Sequence, residues 1–317
     1  MENKYTKEIE NFEKEILDNY FDFSKEDSFL THYTSFNGLE GILKSKSLWF
    51  TYYKYLNDES EGKIIYKVLD SVLDECKEID NDEFKKSIKE VIPINSNESP
   101  LRRFLNGKKD TKVQDDKRVF LCSFSKNDDC LPMWNYYTKN KASKGFNLVF
   151  RKDDLIKQIN RNQDITFDEC KVFKVIYNSN EQEEIISKLL IKYYNLWQVS
   201  TEKEKSFVIK CFLQFLNEIC FLFKHKAFQH EEEIRILLTI SNENYMKAIK
   251  NKKAKARENN GLWIPYLEIS CISEDTIECI RISPTEKSKL VEQSLHELLL
   301  VNEISTKVFF SSIPLRY

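Results

Sequence analysis

The sequence predicts an α+β protein with a mixed or antiparallel central sheet and helical insertions. Three observations lead there. Segments of strand character are scattered among segments of helical period without a regular β-α-β alternation, which favours α+β over a doubly wound parallel sheet. Hydrophobic residues make up 41% of the 317 positions and charged residues 32%, an ordinary balance for a chain with a packed core. Only 6 glycines occur, with neither G-x-G-x-x-G nor G-x-x-x-x-G-K-[ST], so glycine-cradled phosphate loops of the Rossmann and P-loop kinds are excluded.

Each element follows from local pattern. Ile9, Phe12, Ile16 and Leu17 have the spacing of an amphipathic helix over 5–20. Residues 29–34 read as a strand. Residues 37–46 read as a short helix with Leu39, Ile42 and Leu43 on one face, and 47–53 as a second strand. Helical period returns over 59–76. Pro93, Pro100 and Gly107 mark 93–117 as a polar loop, within a surface insertion near 77–117. A strand at 118–125 leads to a helix start at Asp128-Asp129, where carboxylates suit the first turn. A strand at 145–150, a helix from Lys152 and an extended stretch at 167–177 follow. Residues 181–225 form a helical segment whose second half, 207–223, is apolar enough to be buried. Strands are expected at 233–240, 266–272, 276–282 and 307–310. A helix over 284–300 is entered through Ser283-Pro284. The basic run 252–257 reads as a solvated loop or helix face. The expected organisation is an N-terminal helix over 1–27 and a single α+β domain over 28–317.

Charge and cysteines narrow the classes. With 49 Lys and Arg against 51 Asp and Glu, the net charge of −2 gives no global pull toward nucleic acid or anionic membranes. Eight cysteines show no C-x-x-C spacing, so no structural zinc is expected. Met1-Glu2-Asn3-Lys4 lacks a signal-peptide core and no window is apolar enough to span a bilayer. The expectation is a cytoplasmic protein with reduced thiols and no membrane partner. Aromatics reach 13%; most belong in a core, and some can wall a pocket for a planar ligand.

Two distant motifs carry the chemistry. In Leu30-Thr31-His32-Tyr33-Thr34, an imidazole sits on a strand flanked by hydroxyls. A neutral imidazole can donate to a ribose hydroxyl or a backbone group; it can equally be a satisfied core histidine. In His230-Glu231-Glu232-Glu233-Ile234-Arg235, a strand starting at Glu233 would put Glu231 and Glu233 on one face. Two such carboxylates can divide labour, one steadying a developing cation and the other aligning a hydroxyl; they can also be a solvated acidic turn. Arg235 shares that face, as an ion-pair partner or a phosphate clamp. Asn57, Asp58 and Glu61 hold a polar substrate or cap a helix. Trp134 and Tyr137, three apart on a helix, form a pocket wall or pack in the core.

These residues resemble the bacterial domain-of-unknown-function family 2971. His32-Tyr33-Thr34, Asn57-Asp58 with Glu61, Cys122-Ser123-Phe124-Ser125, Pro132-Met133-Trp134-x-x-Tyr137, Gly145, Lys226 with Glu231-x-Glu233-x-Arg235, and Ser312-x-Pro314-x-Arg316 stand in the family's order. More distantly, the opening His-Tyr-Thr, helix and strand is similar to the first strand of ADP-ribosyltransferases, where a His-Tyr-Glu set binds and opens NAD. That resemblance implies an ADP-ribosyltransferase-like core. It also implies NAD as substrate, His32 at a ribose, and Glu233 or Glu231 as the catalytic carboxylate. Tyr33, Thr34, Asn57, Trp134, Tyr137 and Arg235 would complete the NAD site, with Tyr136 or Tyr137 as the middle tyrosine. No metal is required. The acceptor would be protein, nucleic acid or water, in a defence or toxin setting. A carboxylate beside the ribose would steady the oxocarbenium-like cation formed as nicotinamide leaves. Glu233→Gln would then stop turnover and leave the thermal midpoint nearly unchanged. The rivals are a non-enzymatic nucleotide-sensing module and a metal-dependent nuclease using Asp58, Glu61, Glu231 and Glu233.

Overall fold

The computed structural model describes residues 4–26, 28–56, 62–90, 92, 117–137, 145–259 and 261–314. In chain order the elements are α1 (Thr6–Ile16), β1 (Phe29–Ser35), α2 (Phe36–Ser45), β2 (Ser47–Tyr52), α3 (Ile64–Glu75), α4 (Asp82–Lys89) and β3 (Lys117–Ser125). Then come α5 (Leu131–Tyr137), β4 (Gly145–Arg151), α6 (Lys152–Asn160), β5 (Glu169–Lys174), α7 (Ser179–Gln198), α8 (Glu202–Ile219) and β6 (Glu233–Ser241). The chain finishes with α9 (Asn242–Lys250), β7 (Ala254–Asn259), β8 (Leu262–Ser270), β9 (Ile277–Ile282), α10 (Lys289–Val301) and β10 (Lys307–Phe310). The expected mixture of helices around a mixed sheet is present.

These elements fall into two compact units. The first, Met1–Asp22, Asn57–Asp116 and Val175–Gln229, is helical over most of its described residues. The long helical stretch expected over 181–225 is two helices broken near Thr201. There the side chain of Thr201 and that of Glu204 satisfy each other's backbone N–H groups, the reciprocal cap that starts α8. Its core is aromatic: Tyr193 lies 5.2 Å from Phe212, and Phe84 lies 5.1 Å from Tyr194 and 5.6 Å from Trp197, centroid to centroid. Buried Gln182 donates to the carbonyls of Ile176 and Lys224, which closes the unit's entry and exit strands against each other.

The second unit, Phe23–Leu56, Lys117–Lys174 and His230–Tyr317, holds the sheet. Its strand order is β10-β9-β4-β1-β3-β2-β8-β7, with β6 on β3 and β5 on β6. All the pairings are antiparallel except β9 with β10. The sheet branches at β3. One edge of β3 pairs with β6 over its whole length, Lys117 with Ser241 through Ser125 with Glu233. The other edge is shared: β1 meets it at Ser125 through Thr31, and β2 meets it at Leu121 and Phe120 through Thr51 and Tyr52. Between these points, around Ser123, two arms of sheet part like a fork.

Strand alternation sorts the two faces. Leu30, Phe120, Phe124, Leu148, Ile236 and Ile280 join one apolar core, covered by Leu39 and Leu43 of α2, Leu155 and Ile159 of α6, Ala248 of α9 and Leu295 of α10. The opposite face carries Thr31, Tyr33, Ser125, Asn147, Glu233 and Arg235, most of them polar and all buried. Gly38 lets α2 start tight against β1, since a Cβ there would lie 2.0 Å from Thr34 Oγ1.

Two local expectations are corrected. The helix expected from Ser283-Pro284 starts at Lys289 with Ser288 as its cap. Ser283 is instead tied to Gly145, accepting from its N–H and donating its own N–H to its carbonyl, and Glu286 turns back onto the Ser283 carbonyl. The basic run 252–257 contains the start of the edge strand β7, paired with β8; Lys255 and Arg257 supply the charge that discourages edge-to-edge association.

Lys152, the first residue of α6, is buried, and its ammonium donates to the carbonyls of Phe23, Ser24 and Glu26. Lys152→Met keeps the stem and removes the donors. Hydrogen bonds to a charged donor contribute about 1.5–3 kcal/mol each, so losing the set should destabilise the protein by at least about 2 kcal/mol and expose 23–26 to protease first. An unchanged denaturant midpoint and proteolysis pattern would refute this role.

Candidate functional site at the sheet fork

The acidic motif enters β6 through a helical turn over Lys226–Glu231 and a left-handed residue, Glu232, with φ of 41°. That conformation is uncommon for a residue with a Cβ and marks a locally strained entry. It breaks the simple alternation expected for 231–233. Glu231 and Glu233 are nevertheless both buried, each 5% exposed, while exposed Glu232 gives its carbonyl to the Lys126 N–H. Arg235, 1% exposed, grips Glu233 with two bonds of 2.8 Å, Nε to Oε1 and Nη2 to Oε2. The parallel, two-point geometry holds the carboxylate in one orientation.

His32 belongs to the other face. It pairs with Leu148 of the core, whereas Glu233 stands in the row Glu233, Ser125, Thr31. The pleat therefore sets the imidazole and the carboxylate on opposite sides of the sheet. The His32 ring reaches into the fork instead. Its Nδ1 lies 3.1 Å from the Ser123 carbonyl, and its edge meets Phe124 at 5.7 Å. A carbonyl only accepts, so Nδ1 carries the proton and Nε2 keeps a lone pair in the neutral ring. Burial lowers the His32 pKa and the positive charge of Arg257 lowers it further, against the Ser123 bond that raises it. The imidazole thus stands where a strand neighbour of Ser123 would be.

The other expected site residues are placed as follows. Tyr33 is buried, its hydroxyl donating to the Asn127 carbonyl and accepting from the Cys130 N–H, both at 3.0 Å, with its ring edge-on to Trp134 at 4.9 Å. Burial raises its pKa. It fastens the loop before α5. Trp134 is buried and donates to Asp129 at 2.8 Å. Thr34 is half-buried and packs on Gly38. Tyr137 is partly exposed, as is Tyr136, whose ring lies over His230 at 5.5 Å. Asn57, with Asp58 and Glu61, lies outside the described residues. No group of three or more potential metal ligands occurs among the described residues.

Two features were not read from the sequence. Asp129 accepts from Trp134, from the Ser311 hydroxyl and from the Ser312 N–H and hydroxyl at 2.7–2.9 Å, pinning the C-terminal stretch to the loop before α5. Burial alone would raise its pKa; these donors together hold it below the usual carboxylate value. On the far arm, Arg257 of β7 donates to Thr51 Oγ1 at 3.2 Å and lies over Trp49 and Tyr266, 5.4 and 5.9 Å from the ring centroids. On the polar face, Thr31 Oγ1, Asn147 Oδ1 and Arg281 Nε are buried and have no hydrogen-bond partner among the described residues. Polar atoms left so are uncommon and call for a ligand or water.

All eight cysteines are free thiols, and no helix among the described residues is long and apolar enough to cross a membrane. No curated protein and no solved structure matches the chain. Residues 133–236 match the model of the family described as "Protein of unknown function (DUF2971)". That stretch contains Met133, Trp134, Tyr137, Gly145, Lys226 and Glu231-x-Glu233-x-Arg235, and leaves out His32 and Ser123. The match runs from α5 into β6 and covers 104 of the 317 residues.

Proposed function

We propose that the fork is a nucleotide site at which this protein consumes NAD, cleaving the nicotinamide–ribose bond as an ADP-ribosyltransferase-like enzyme or an NAD glycohydrolase. The observation that carries the reading is the parting of β1 and β2 along one edge of β3. There His32 presents a neutral ring to Ser123 of β3, and the other edge of β3 carries the strand that starts with the held Glu233. A ligand seated in the fork meets both arms; the imidazole and the carboxylate contact it from different faces of the sheet.

In this reading, His32 Nε2 accepts from a ribose hydroxyl, its ring fixed by Ser123. Glu233, its carboxylate held by Arg235, steadies the developing ribosyl charge. Glu231 adds a second buried carboxylate at the same turn. Arg235 is a positioning residue. The C–N bond breaks heterolytically and its electron pair leaves with nicotinamide. Water or an acceptor hydroxyl attacks the ribosyl cation and gives up its proton. Tyr33 and Trp134 hold the neighbouring loop and need not touch the ligand.

Incubation of the purified protein with NAD, and separately with nucleic acid, each with and without chelator, tests this. Nicotinamide release that ignores chelator is the expected result, lost in Glu233→Gln after correction for folded fraction. Nucleotide binding with no release would identify a sensing module. Metal-dependent cutting of nucleic acid would replace the proposal by a nuclease.

A further inference from the structure

We infer that Arg257, framed by Thr51, Trp49 and Tyr266, is a subsite for the phosphate groups of the ligand in the fork; this rests on the fork being the ligand site. The guanidinium is half-buried, yet no carboxylate pairs with it among the described residues. The neighbouring acids are committed elsewhere: Glu268 bonds Lys255 at 2.6 Å, and Glu258 accepts from the Gly261 N–H at 2.7 Å. Taking a cation out of water without a counter-charge is costly, so such a group is normally matched by an anion.

The surroundings orient this cation. Trp49 and Tyr266 pack with centroids 4.4 Å apart, and Arg257 lies over both. Among the described residues, one acceptor meets its N–H donors, Thr51 Oγ1; a guanidinium has five, in a fork that matches two oxygens of a phosphate. Trp49 remains 42% exposed, leaving part of its surface for a flat ring beside the anion.

Its direction is equally informative. In strand order β7 is separated from β1 by β8, β2 and β3. Arg257 nonetheless bonds Thr51, which pairs with Leu121 of β3 two residues from Ser123, and it lies over Trp49, where β2 has already left β3. Arg257 therefore stands on the β2 arm where the fork opens. A ligand with a sugar at His32 and phosphates at Arg257 would fit a nucleoside diphosphate or dinucleotide, and a bare nucleoside would forgo the second contact.

Calorimetric titration with inorganic pyrophosphate, ADP and adenosine at fixed moderate salt tests the subsite on the wild type, R257Q and R257K. Pyrophosphate and ADP should bind the wild type and weaken about tenfold or more in R257Q, the scale of a lost charge-assisted pair. R257K, which keeps the charge without the planar fork, should fall between them, and adenosine should be indifferent to both changes. R257K also decides the matter should R257Q fail to fold. Equal pyrophosphate and ADP affinity in the wild type and the variants, or no binding of either by the wild type, overturns the proposal. Arg257-dependent pyrophosphate binding without any nicotinamide release keeps the subsite and removes NAD cleavage. Nicotinamide release with the same KM in R257Q keeps NAD cleavage and removes the subsite.

Discussion

Arg235→Met should destabilise the sheet unit by roughly 3–5 kcal/mol, the usual cost of stripping one partner from a buried ion pair. Arg235 is 1% exposed and Glu233 5%, and two bonds of 2.8 Å join them. Without the guanidinium, the Glu233 carboxylate must take up a proton or draw water into the β3–β6 stem. Denaturant unfolding at pH 7 measures the loss. The double variant Glu233→Leu with Arg235→Met should recover most of it, because apolar groups of similar volume need no counter-charge. A single-variant loss under about 1 kcal/mol would place the pair with exposed salt bridges, which contribute no more than that.

The same pair alters what Glu233→Gln can show. The sequence suggests a catalytic carboxylate whose amide replacement leaves the thermal midpoint alone. The structure makes Glu233 half of a buried bidentate pair, so the amide leaves Arg235 with a neutral partner and the midpoint should fall. Activity must therefore be read on the folded fraction.

How much of this was legible in the sequence depends on how local the cause is. Apolar alternation and helical period are local, so β1, β2, β3, β4 and β6 and most helices fell where the pattern put them. The parity of Glu233 and Arg235 was also readable, because two residues on one strand share a face. The relation of His32 to Glu233 was not. It is set by the register of Thr31 on Ser125 and of Ser125 on Glu233, pairings between segments about a hundred residues apart that no local pattern encodes. Asp129 was read as a helix-start carboxylate; its partners Ser311 and Ser312 come from the far end of the chain. Arg257 was hidden for a different reason. Ala254-Lys255-Ala256-Arg257 alternates small with charged residues, so an edge strand shows no hydrophobic period and looks like solvated surface.

In the helical unit, Glu13→Gln should be nearly neutral at pH 4 and stabilising at pH 8, by on the order of 3 kcal/mol. Glu13 of α1 accepts from the Tyr193 hydroxyl of α7. Burial pushes its pKa from 4.5 up to about 7, outweighing the Tyr193 bond that lowers it, with the charges of Glu218 and Glu10 adding to the rise. The folded unit therefore holds a proton that the unfolded chain releases near 4.5. Between about 4.5 and 7 the native state binds more protons than the unfolded one, so stability falls as pH rises through that window and levels off above it. Gln keeps an acceptor for Tyr193 and never ionises, so the gain of the variant should open across that window. Hydrogen exchange of the α1 and α7 amides at both pH values reads the effect within this unit. A variant whose gain is the same at pH 4 and pH 8 would mean that the Glu13 carboxylate finds enough water in the native state to ionise at its ordinary pKa.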